Sequence, residues 1–343
     1  MRFRSLFAYL AGGLAWALTA SPAVAGTTLE AVQQRGFLQC GVRDIGAGLS
    51  YVNEAGDWAG FFPDYCRAVA AATLGSAEAV DFVLTDAGNR FETVASGTVD
   101  ALISNSTWTL RRDASLGLDW TGVLYYDGQG FLAHRSLGVK NLGEVGAATV
   151  CVQAAGTTTE KNLAEYISLK NPKMTAMTFQ SLEGRRSAFV RRRCDMITTD
   201  RLLLVDLKIS REPNPGDFVL LPEVISKEPL GPVVRDDDPQ WFDIVKWVIY
   251  ATVAAEEKGV TSANVAAMRG SEDPEVRRLL GVDPGLGEIL GLDEAWAARV
   301  IEQVGNYGEI FERNLGQETP LGLERGLNAL WTEGGLMYAP PLR

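Results

Sequence analysis

The sequence predicts an α/β protein built as two lobes around mostly parallel strands. Short apolar runs alternate with longer amphipathic runs along the chain, which is typical of strands and helices layered in turn. Even without residues 1–25, the 343-residue chain is long enough for two lobes of about 100 to 200 residues each. A second cycle of the pattern begins near Leu137 and ends at residues 228–235, where a chain that crosses twice between lobes would return to the first.

The apolar runs have the length of strands, and the amphipathic runs between them have the length of helices. The predicted strands cover residues 38–42, 80–84, 101–104, 130–134, 149–153, 174–179, 196–198 and 218–221. The predicted helices between them cover residues 64–74, 90–96, 158–169 and 182–193. A further helix over residues 241–258 has an apolar stripe that we expect to face the core. The stripe consists of Trp241, Ile244, Val245, Val248 and Ile249.

The first 25 residues have the features of a secretory signal peptide. Arg2 and Arg4 precede an apolar stretch over residues 6–20, and small residues that end at Ala25 supply a cleavage position. The apolar stretch is short for a bilayer span and contains two adjacent glycines, which disfavours a membrane anchor. We therefore expect cleavage after Ala25 and a soluble protein in the periplasm.

The chain is acidic, with a formal net charge of −11 at pH 7. Binding to nucleic acid or anionic lipid favours an excess of positive charge, so we expect neither as a partner. Five arginines between positions 185 and 193 form a basic cluster. In an acidic, exported chain we interpret this cluster as a solvated helix face, with a partner contact as the alternative.

Four cysteines in an exported chain favour structural disulfides over a metal site. Cys40 lies in a predicted strand and Cys66 in the helix that follows it, whereas Cys151 and Cys194 come much later. Zinc sites need closely spaced Cys and His ligands, and His134 is the single histidine of the chain. Four cysteines permit three connectivities, of which we favour Cys40 with Cys66 and Cys151 with Cys194, one bridge in each lobe.

Short catalytic signatures are absent from the sequence. It contains no HExxH, GxxxxGK[ST] or GxSxG motif, which disfavours an enzyme without excluding one. His134 has no Ser, Cys or acidic neighbour in sequence that could complete a catalytic set, so we expect it on the surface or between the lobes. The sequence therefore predicts no catalytic residues, no metal ligands and no cofactor.

Polar residues that could hold a small zwitterion follow predicted strands in both halves of the chain. A free amino acid has a carboxylate and an ammonium on one carbon, so its receptor needs a paired cation, aligned N–H donors and a fixed acidic acceptor. Hydroxyls and an arginine lie together in residues 104–113. Residues 156–160 follow a strand and open a helix, where free N–H groups and the helix dipole attract an anion. Asp200 ends another strand, at the edge where open α/β sheets bind ligands.

Five runs of sequence are specific enough to indicate a family. They are RGFLQCGV (35–42), TWTL (107–110), YYDGQGF (125–131), ISKEPLGPVVR (225–235) and QVGNYGEIFERN (303–314). In these runs, and over the chain from about Leu29 to Arg343, the sequence resembles the polar amino-acid-binding proteins of ABC importers, solute-binding protein family 3. It resembles in particular the branch of general L-amino-acid-binding proteins. The resemblance implies the type II periplasmic binding protein fold, in which two crossing hinge strands join two α/β lobes that close over a ligand in the cleft between them.

The resemblance implies roles for three residues of the first lobe. Arg112 would bind the α-carboxylate of the ligand, while Thr107 and the carbonyl of Asn105 would hold its other substituents. This chain also departs from many relatives by having Arg43 just after the first strand, as aspartate- and glutamate-binding relatives do. Arg43 therefore predicts a preference for glutamate or aspartate, unless a neighbour such as Asp44 neutralises its charge.

In the second lobe the resemblance again implies three ligand contacts. The backbone N–H of Thr158 would meet the α-carboxylate, Asp200 would accept the α-ammonium, and Gln153 would reach towards the ligand side chain. The segment before Gly156 is about one residue longer than in the branch, which leaves the register of Thr157 and Thr158 open. The four cysteines also match the branch, in agreement with one bridge in each lobe.

We therefore expect four segments in the chain. These are a signal peptide (1–25), the first part of lobe one (26–132), lobe two (133–226), and a return to lobe one with a C-terminal helical extension (227–343). The expected partners are a free L-amino acid and the membrane permease subunits of an ABC importer, and we expect a monomer. Two alternatives stay open: an enzyme on the same scaffold, such as an exported dehydratase, and a detached amino-acid sensor.

Overall fold

The computed structural model describes residues 28–154, 156–210 and 214–343. The predicted signal peptide, residues 1–25, lies outside these described residues. Within them, no helix is both long enough and apolar enough to cross a bilayer.

Strands and helices alternate through the described chain, as the sequence predicts. The strands are β1 (Leu38–Val42), β2 (Tyr51–Val52), β3 (Trp58–Ala59), β4 (Val80–Leu84), β5 (Ala101–Leu102), β6 (Leu118–Trp120), β7 (Tyr125–Asp127), β8 (Gln129–His134), β9 (Ala148–Gln153), β10 (Met174–Phe179), β11 (Met196–Asp200), β12 (Phe218–Leu220), β13 (Glu228–Leu230) and β14 (Val233–Arg235). The helices are α1 (Thr28–Arg35), α2 (Phe61–Leu74), α3 (Arg90–Ala95), α4 (Leu110–Ser115), α5 (Thr158–Leu169), α6 (Leu182–Val190), α7 (Arg201–Ser210), α8 (Pro239–Glu257), α9 (Val265–Met268), α10 (Pro274–Leu279), α11 (Leu286–Leu290), α12 (Trp296–Gln303) and α13 (Tyr307–Asn314).

The first lobe contains a five-stranded sheet with the strand order β4-β1-β5-β14-β6. Strand β1 pairs in parallel with both β4 and β5, and β1 and β4 have the bounds that the sequence predicts. Strand β14 comes from much later in the chain and pairs antiparallel with β5 and β6. The chain therefore returns to the first lobe after it has built the second.

The second lobe contains a five-stranded sheet with the strand order β10-β9-β11-β8-β12. Strand β9 pairs in parallel with β10 and β11, whereas β8 pairs antiparallel with β11 and β12. Strand β8, Gln129–His134, lies wholly in this sheet. The division that we expected between residues 132 and 133 thus falls inside the strand, and the chain enters the second lobe slightly earlier.

Two antiparallel strands, β7 and β13, join the lobes. Glu228 lies opposite Asp127, and Leu230 lies opposite Tyr125. Just beyond β13, Gly231 approaches the first lobe so closely that a Cβ atom at this position would overlap the carbonyl oxygen of Gly122. A glycine is therefore required where the chain re-enters the first lobe, because a side chain would push the two backbones apart.

The C-terminal extension shares the core of the first lobe. The apolar stripe of α8 is buried, with Trp241 only 1% exposed, which confirms that it faces the core. The ring of Phe61 on α2 packs edge to face against Tyr125 of β7 and against Tyr307 and Phe311 of α13. This aromatic cluster ties the extension to the strand that crosses between the lobes.

Both predicted disulfides are present, and all four cysteines are paired. Cys40 of β1 is bonded to Cys66 of α2, with Cα atoms 6.0 Å apart. Cys151 of β9 is bonded to Cys194, which precedes β11, with Cα atoms 5.7 Å apart. Each bridge lies within one lobe, so neither hinders movement of one lobe relative to the other.

Two interpretations of the sequence are wrong in the second lobe. Arg185 and Arg186, expected on a solvated helix face, are only 1% and 3% exposed, whereas the remaining three arginines of the cluster are exposed. His134, expected on the surface or between the lobes, is buried in the core of the second lobe and packs against the ring of Phe189. In both cases tertiary packing covers a polar residue that the local pattern places at the surface.

Candidate ligand-binding cleft

A polar cleft lies between the lobes, beside the ends of β1, β5, β9 and β11 and the start of α5. Its lining contains all seven ligand contacts that the sequence analysis expected: Arg43, Asn105, Thr107, Arg112, Gln153, Thr158 and Asp200. The other residues of the lining are Arg90, Thr157, Thr159, Thr199 and Leu203. The fold therefore brings together residues from four strand ends that are far apart in sequence.

Arg112 is fixed at the first turn of α4. The hydroxyl of Thr109 caps this helix by accepting a hydrogen bond from the backbone N–H of Arg112, at 3.3 Å. The guanidinium donates to the carbonyl of Thr107 at 2.9 Å and to that of Gly156 at 3.5 Å, and it lies 4.9 Å from the ring centre of Phe91. Burial lowers the pKa of Arg112, but a guanidinium stays charged at neutral pH. These contacts are all to neutral groups, so the guanidinium can still pair with an anionic ligand, although the charges of Glu228 and Asp200 already favour its charged form.

The start of α5 presents backbone N–H groups to the same cleft. Thr157 caps the helix: its hydroxyl donates to the carbonyl of Gln153 at 2.7 Å and accepts from the backbone N–H of Glu160 at 3.2 Å. The helix begins at Thr158, directly after its N-cap residue Thr157. The first N–H groups of a helix have no partner within it and, together with the helix dipole, attract an anion. The second lobe thus offers an anion-binding element beside Arg112.

Asp200, at the end of β11, is the one carboxylate among the described lining residues, and it is 4% exposed. Its Oδ2 atom accepts a hydrogen bond from Nδ2 of Asn105 at 2.7 Å. Burial, and next the charge of Glu228, raise the pKa of Asp200 to about 6, although Asn105 and Arg43 favour the ionised form. A ligand ammonium would favour the ionised carboxylate further, because an opposite charge at short range lowers the pKa of an acid.

Arg43 lies deep in the cleft and is linked to Asp200 through an amide. Its Nη1 atom donates to Oδ1 of Asn105 at 2.7 Å, and Asn105 in turn donates to Asp200. Burial lowers the pKa of Arg43 to about 10, with a partial offset from the charges of Asp200 and Asp86. Asp44, the neighbour that could have neutralised Arg43, is exposed, and over the described residues Arg43 forms no ion pair.

Arg90 is a cleft residue that the sequence analysis did not identify. It is the first residue of α3 and is 3% exposed. One of its Nη atoms donates to the carbonyl of Ala87, while its Nε atom has no partner among the described residues. Its guanidinium lies 4.4 Å from the ring centre of Phe91, the ring that Arg112 also contacts. The available signal was an arginine at the start of a helix that follows a strand of the first sheet, the type of edge where α/β proteins bind ligands.

Positive charge exceeds negative charge in the cleft. Arg43, Arg90 and Arg112 are each at most 8% exposed, and they face one carboxylate in the lining, that of Asp200. A buried charge without a counter-ion is costly, so this arrangement favours an anionic ligand. A ligand with two carboxylates and one ammonium would balance these charges more fully than a zwitterion of zero net charge.

A second buried carboxylate, that of Glu228, lies on the crossing strand β13 behind the cleft. It is 1% exposed and accepts hydrogen bonds from the hydroxyls of Thr107 at 2.5 Å and Thr158 at 2.9 Å. Glu228 lies in the run over residues 225–235 that resembles the family, but the sequence alone indicates no role for it. Because Thr107 belongs to the first lobe and Thr158 to the second, this carboxylate connects both halves of the cleft.

A buried ion pair forms another contact between the lobes. Nη2 of Arg186 donates to Oδ2 of Asp206 at 3.2 Å within the second lobe and to the carbonyl of Ile45 in the first lobe at 2.9 Å. The carboxylate of Asp206 packs against Gly46, where a Cβ atom would overlap it. The lobes are therefore in contact at a second place, away from Glu228.

The cleft combines guanidiniums, the helix N–H groups at the start of α5, hydroxyls and one carboxylate. Over the described residues, no group of three or more His, Cys, Asp or Glu side chains is arranged to hold a metal ion.

Comparisons with known proteins relate the chain to one family of solute-binding proteins. Residues 38–259 match the bacterial extracellular solute-binding proteins, family 3. The chain is 47% identical over 333 residues to the general L-amino acid-binding periplasmic protein AapJ of Rhizobium johnstonii, covering 96% of this chain and 97% of that protein. It is 47% identical over 333 residues to the glutamate/glutamine/aspartate/asparagine-binding protein BztA of Rhodobacter capsulatus, covering 97% and 98%. A solved ABC transporter periplasmic binding protein from Brucella ovis, with glutathione bound, superposes with a TM-score of 0.90 at 46% identity, covering 93% of this chain and 100% of that chain.

Proposed function

The chain belongs to the bacterial extracellular solute-binding proteins of family 3, and we propose that it binds acidic L-amino acids, glutamate or aspartate, in the periplasm and delivers them to a membrane ABC importer. The observation that supports the acidic preference is the excess of buried arginines over carboxylates in the cleft lining. The names of two relatives that match nearly the whole chain, a general L-amino acid-binding protein and a glutamate/glutamine/aspartate/asparagine-binding protein, support amino acids as the ligand class.

The ligand's groups can be matched to the cleft one by one. The α-carboxylate would pair with Arg112 and the first N–H groups of α5, and the α-ammonium would pair with Asp200. The side-chain carboxylate would then meet Arg43 and Arg90, whose contacts among the described residues are to neutral groups. The proposal therefore assigns acidic specificity to two arginines, one of which, Arg90, the sequence did not reveal.

We expect wild-type protein to bind glutamate at least about tenfold more tightly than glutamine, because an amide cannot pair with a guanidinium as a carboxylate does. The substitutions Arg43→Asn and Arg90→Gln should each reduce this ratio, mainly by weakening glutamate. Competition between the two ligands, measured by calorimetry, provides the ratio for each variant. Arg191→Asn, which removes one exposed arginine outside the cleft lining, serves as the charge-matched control.

The outcomes separate the parts of this assignment. A preference for glutamine in wild type rejects the acidic specificity. A glutamate preference that survives Arg43→Asn removes Arg43 from the side-chain subsite, and the same reasoning applies to Arg90.

Glutathione is a second candidate ligand, since the Brucella ovis relative was solved with glutathione bound. The γ-glutamyl group of glutathione has a free α-carboxylate and α-ammonium, which suit Arg112 and Asp200. Its side-chain position is an amide rather than a carboxylate, so Arg43 and Arg90 favour free glutamate over glutathione. Glutathione is therefore included in the competition series.

The remaining alternatives have their own discriminating measurements. An enzyme on this scaffold would change its ligand, so mass spectrometry of ligand recovered after incubation distinguishes catalysis from binding. A sensor would have the same cleft, but deletion of a sensor protein would leave uptake of labelled glutamate by whole cells intact.

We also propose that the exported protein is monomeric and begins at Gly26. Light scattering would test the first statement, and N-terminal sequencing of the periplasmic protein would test the second.

A further inference from the structure

Glu228 does not line the cleft, yet it is bonded to two side chains that do. Its Oε2 atom accepts from the hydroxyls of Thr107 and Thr158, and its Oε1 atom accepts from Ser226 at 2.7 Å and from Nδ2 of Asn162 at 2.9 Å. Four donors thus converge on one carboxylate that is 1% exposed. Such an arrangement satisfies an ionised carboxylate, which can only accept hydrogen bonds.

The acceptor character of Glu228 fixes the orientation of the two cleft hydroxyls. A threonine hydroxyl has one proton to donate and two lone pairs with which to accept. When Thr107 and Thr158 both donate their protons to Oε2 of Glu228, neither has a proton left for a ligand. Both oxygen atoms can then act only as acceptors towards the cleft, where a ligand ammonium has three N–H groups to donate.

The backbone around Glu228 holds this geometry firmly. The N–H of Trp108 donates to the carbonyl of Pro229 at 2.8 Å, and Thr107 forms a β-bridge with Leu230, so the segment that contains Thr107 is aligned along β13. Thr158 and Asn162 are four residues apart on α5 and therefore lie on the same face of that helix, where both reach Glu228. One carboxylate thus orients hydroxyls from both lobes.

We propose that Glu228 is a positioning residue that makes Thr107 and Thr158 hydrogen-bond acceptors for the α-ammonium of the ligand. The inference rests on the proposed function, since it concerns how the same cleft distinguishes an amino acid from an acid that lacks the amino group. Glu228 itself is not part of the cleft lining. Its effect is to add two neutral acceptors to the charged acceptor Asp200 and so to select ligands with an ammonium at the α-carbon.

The test compares two ligands in wild type and in Glu228→Gln. The ligands are L-glutamate and 2-hydroxyglutarate, which has a hydroxyl in place of the ammonium and can therefore accept as well as donate. A glutamine side chain keeps the size of glutamate but replaces one oxygen with an N–H donor, so the hydroxyls lose their shared acceptor or become free to donate. We expect the preference for glutamate over 2-hydroxyglutarate to fall by at least about tenfold, because hydrogen bonds that involve a charged group are among the strongest in proteins.

Two controls separate positioning from general damage. Glu256→Gln makes the same chemical change in a carboxylate that pairs with Arg325, outside the cleft lining, and should leave the ligand preference unchanged. In a Thr107→Val background, Glu228→Gln should change the preference less than it does alone, since one of its oriented hydroxyls is already missing.

The outcomes are distinguishable from a failure of the proposed function. If wild type binds no glutamate, the proposed function is wrong. If wild type prefers glutamate and Glu228→Gln weakens both ligands equally, Glu228 has a structural role and the inference is overturned. A decrease in the ratio that depends on Thr107 supports the positioning role.

Discussion

Replacing Arg112 with alanine is expected to weaken binding of every amino-acid ligand by about thirtyfold to several thousandfold, which corresponds to about 2 to 5 kcal/mol. The reason is that Arg112 would pair with the α-carboxylate, a group that all amino acids share, in a site with little access to water. Loss of the guanidinium leaves the bound carboxylate without its cation and also removes the donors to the carbonyls of Thr107 and Gly156. Titration calorimetry of the variant with glutamate provides the measurement.

Two further variants control for this substitution. Arg111→Ala removes the adjacent, exposed arginine and should leave affinity within a few-fold of wild type. Arg112→Lys keeps the positive charge but cannot bind a carboxylate through two parallel hydrogen bonds, so its affinity should lie between those of Arg112→Ala and wild type. If Arg112→Ala binds within a few-fold of wild type, the α-carboxylate is held elsewhere.

The substitution Asp200→Asn is expected to weaken binding nearly as much and to remove its pH dependence. The pKa of Asp200 in the free protein is raised to about 6 by burial and by Glu228. A bound ammonium favours the ionised carboxylate, so the pKa of Asp200 in the complex is lower than in the free protein. Wild-type affinity should therefore be constant above about pH 7. As the pH is lowered past about 6, the affinity should decrease by at most about tenfold per pH unit.

Affinity measured at a series of pH values in wild type and in Asp200→Asn checks this expectation. The asparagine side chain keeps the shape of the site but does not titrate, so its weaker affinity should stay flat between about pH 7 and pH 5. A wild-type affinity that rises as the pH falls would contradict the assignment of Asp200 to the ammonium, as would a variant that retains the full pH dependence.

The sequence predicts the strands and helices in which apolar residues recur at a clear spacing, and it misses those without such a pattern. Strands β1, β4 and β10 and helix α5 have the predicted bounds, because each is a run of five or more residues with a marked pattern. Strands β7 and β13 each have three residues and include Asp127, Glu228 and Pro229. Their pairing depends on the junction between the lobes rather than on their own apolar content, so the local pattern does not reveal it.

The sequence also predicts much of the cleft, since polar residues at strand ends converge in an α/β fold. It misses Arg90 because a helix start after a strand places a residue at the ligand-binding edge but does not show whether its side chain faces solvent or the cleft. It misinterprets Arg185 and Arg186 for the related reason that a charged helix face is normally exposed, whereas the Arg186 side chain is buried with Asp206. Glu228 can be interpreted only when its four hydrogen-bond donors are known, and two of these lie on helix α5 of the second lobe.

The central claim, that the cleft binds a free acidic L-amino acid, is tested most directly by calorimetric titration of ligand-stripped protein with each of the twenty L-amino acids. The charges of the cleft predict saturable binding of glutamate and aspartate at one site, weaker binding of glutamine and asparagine, and the weakest binding of arginine and lysine, whose side chains would face Arg43 and Arg90. Absence of saturable binding for all twenty ligands would contradict the claim, and so would tighter binding of arginine or lysine than of glutamate.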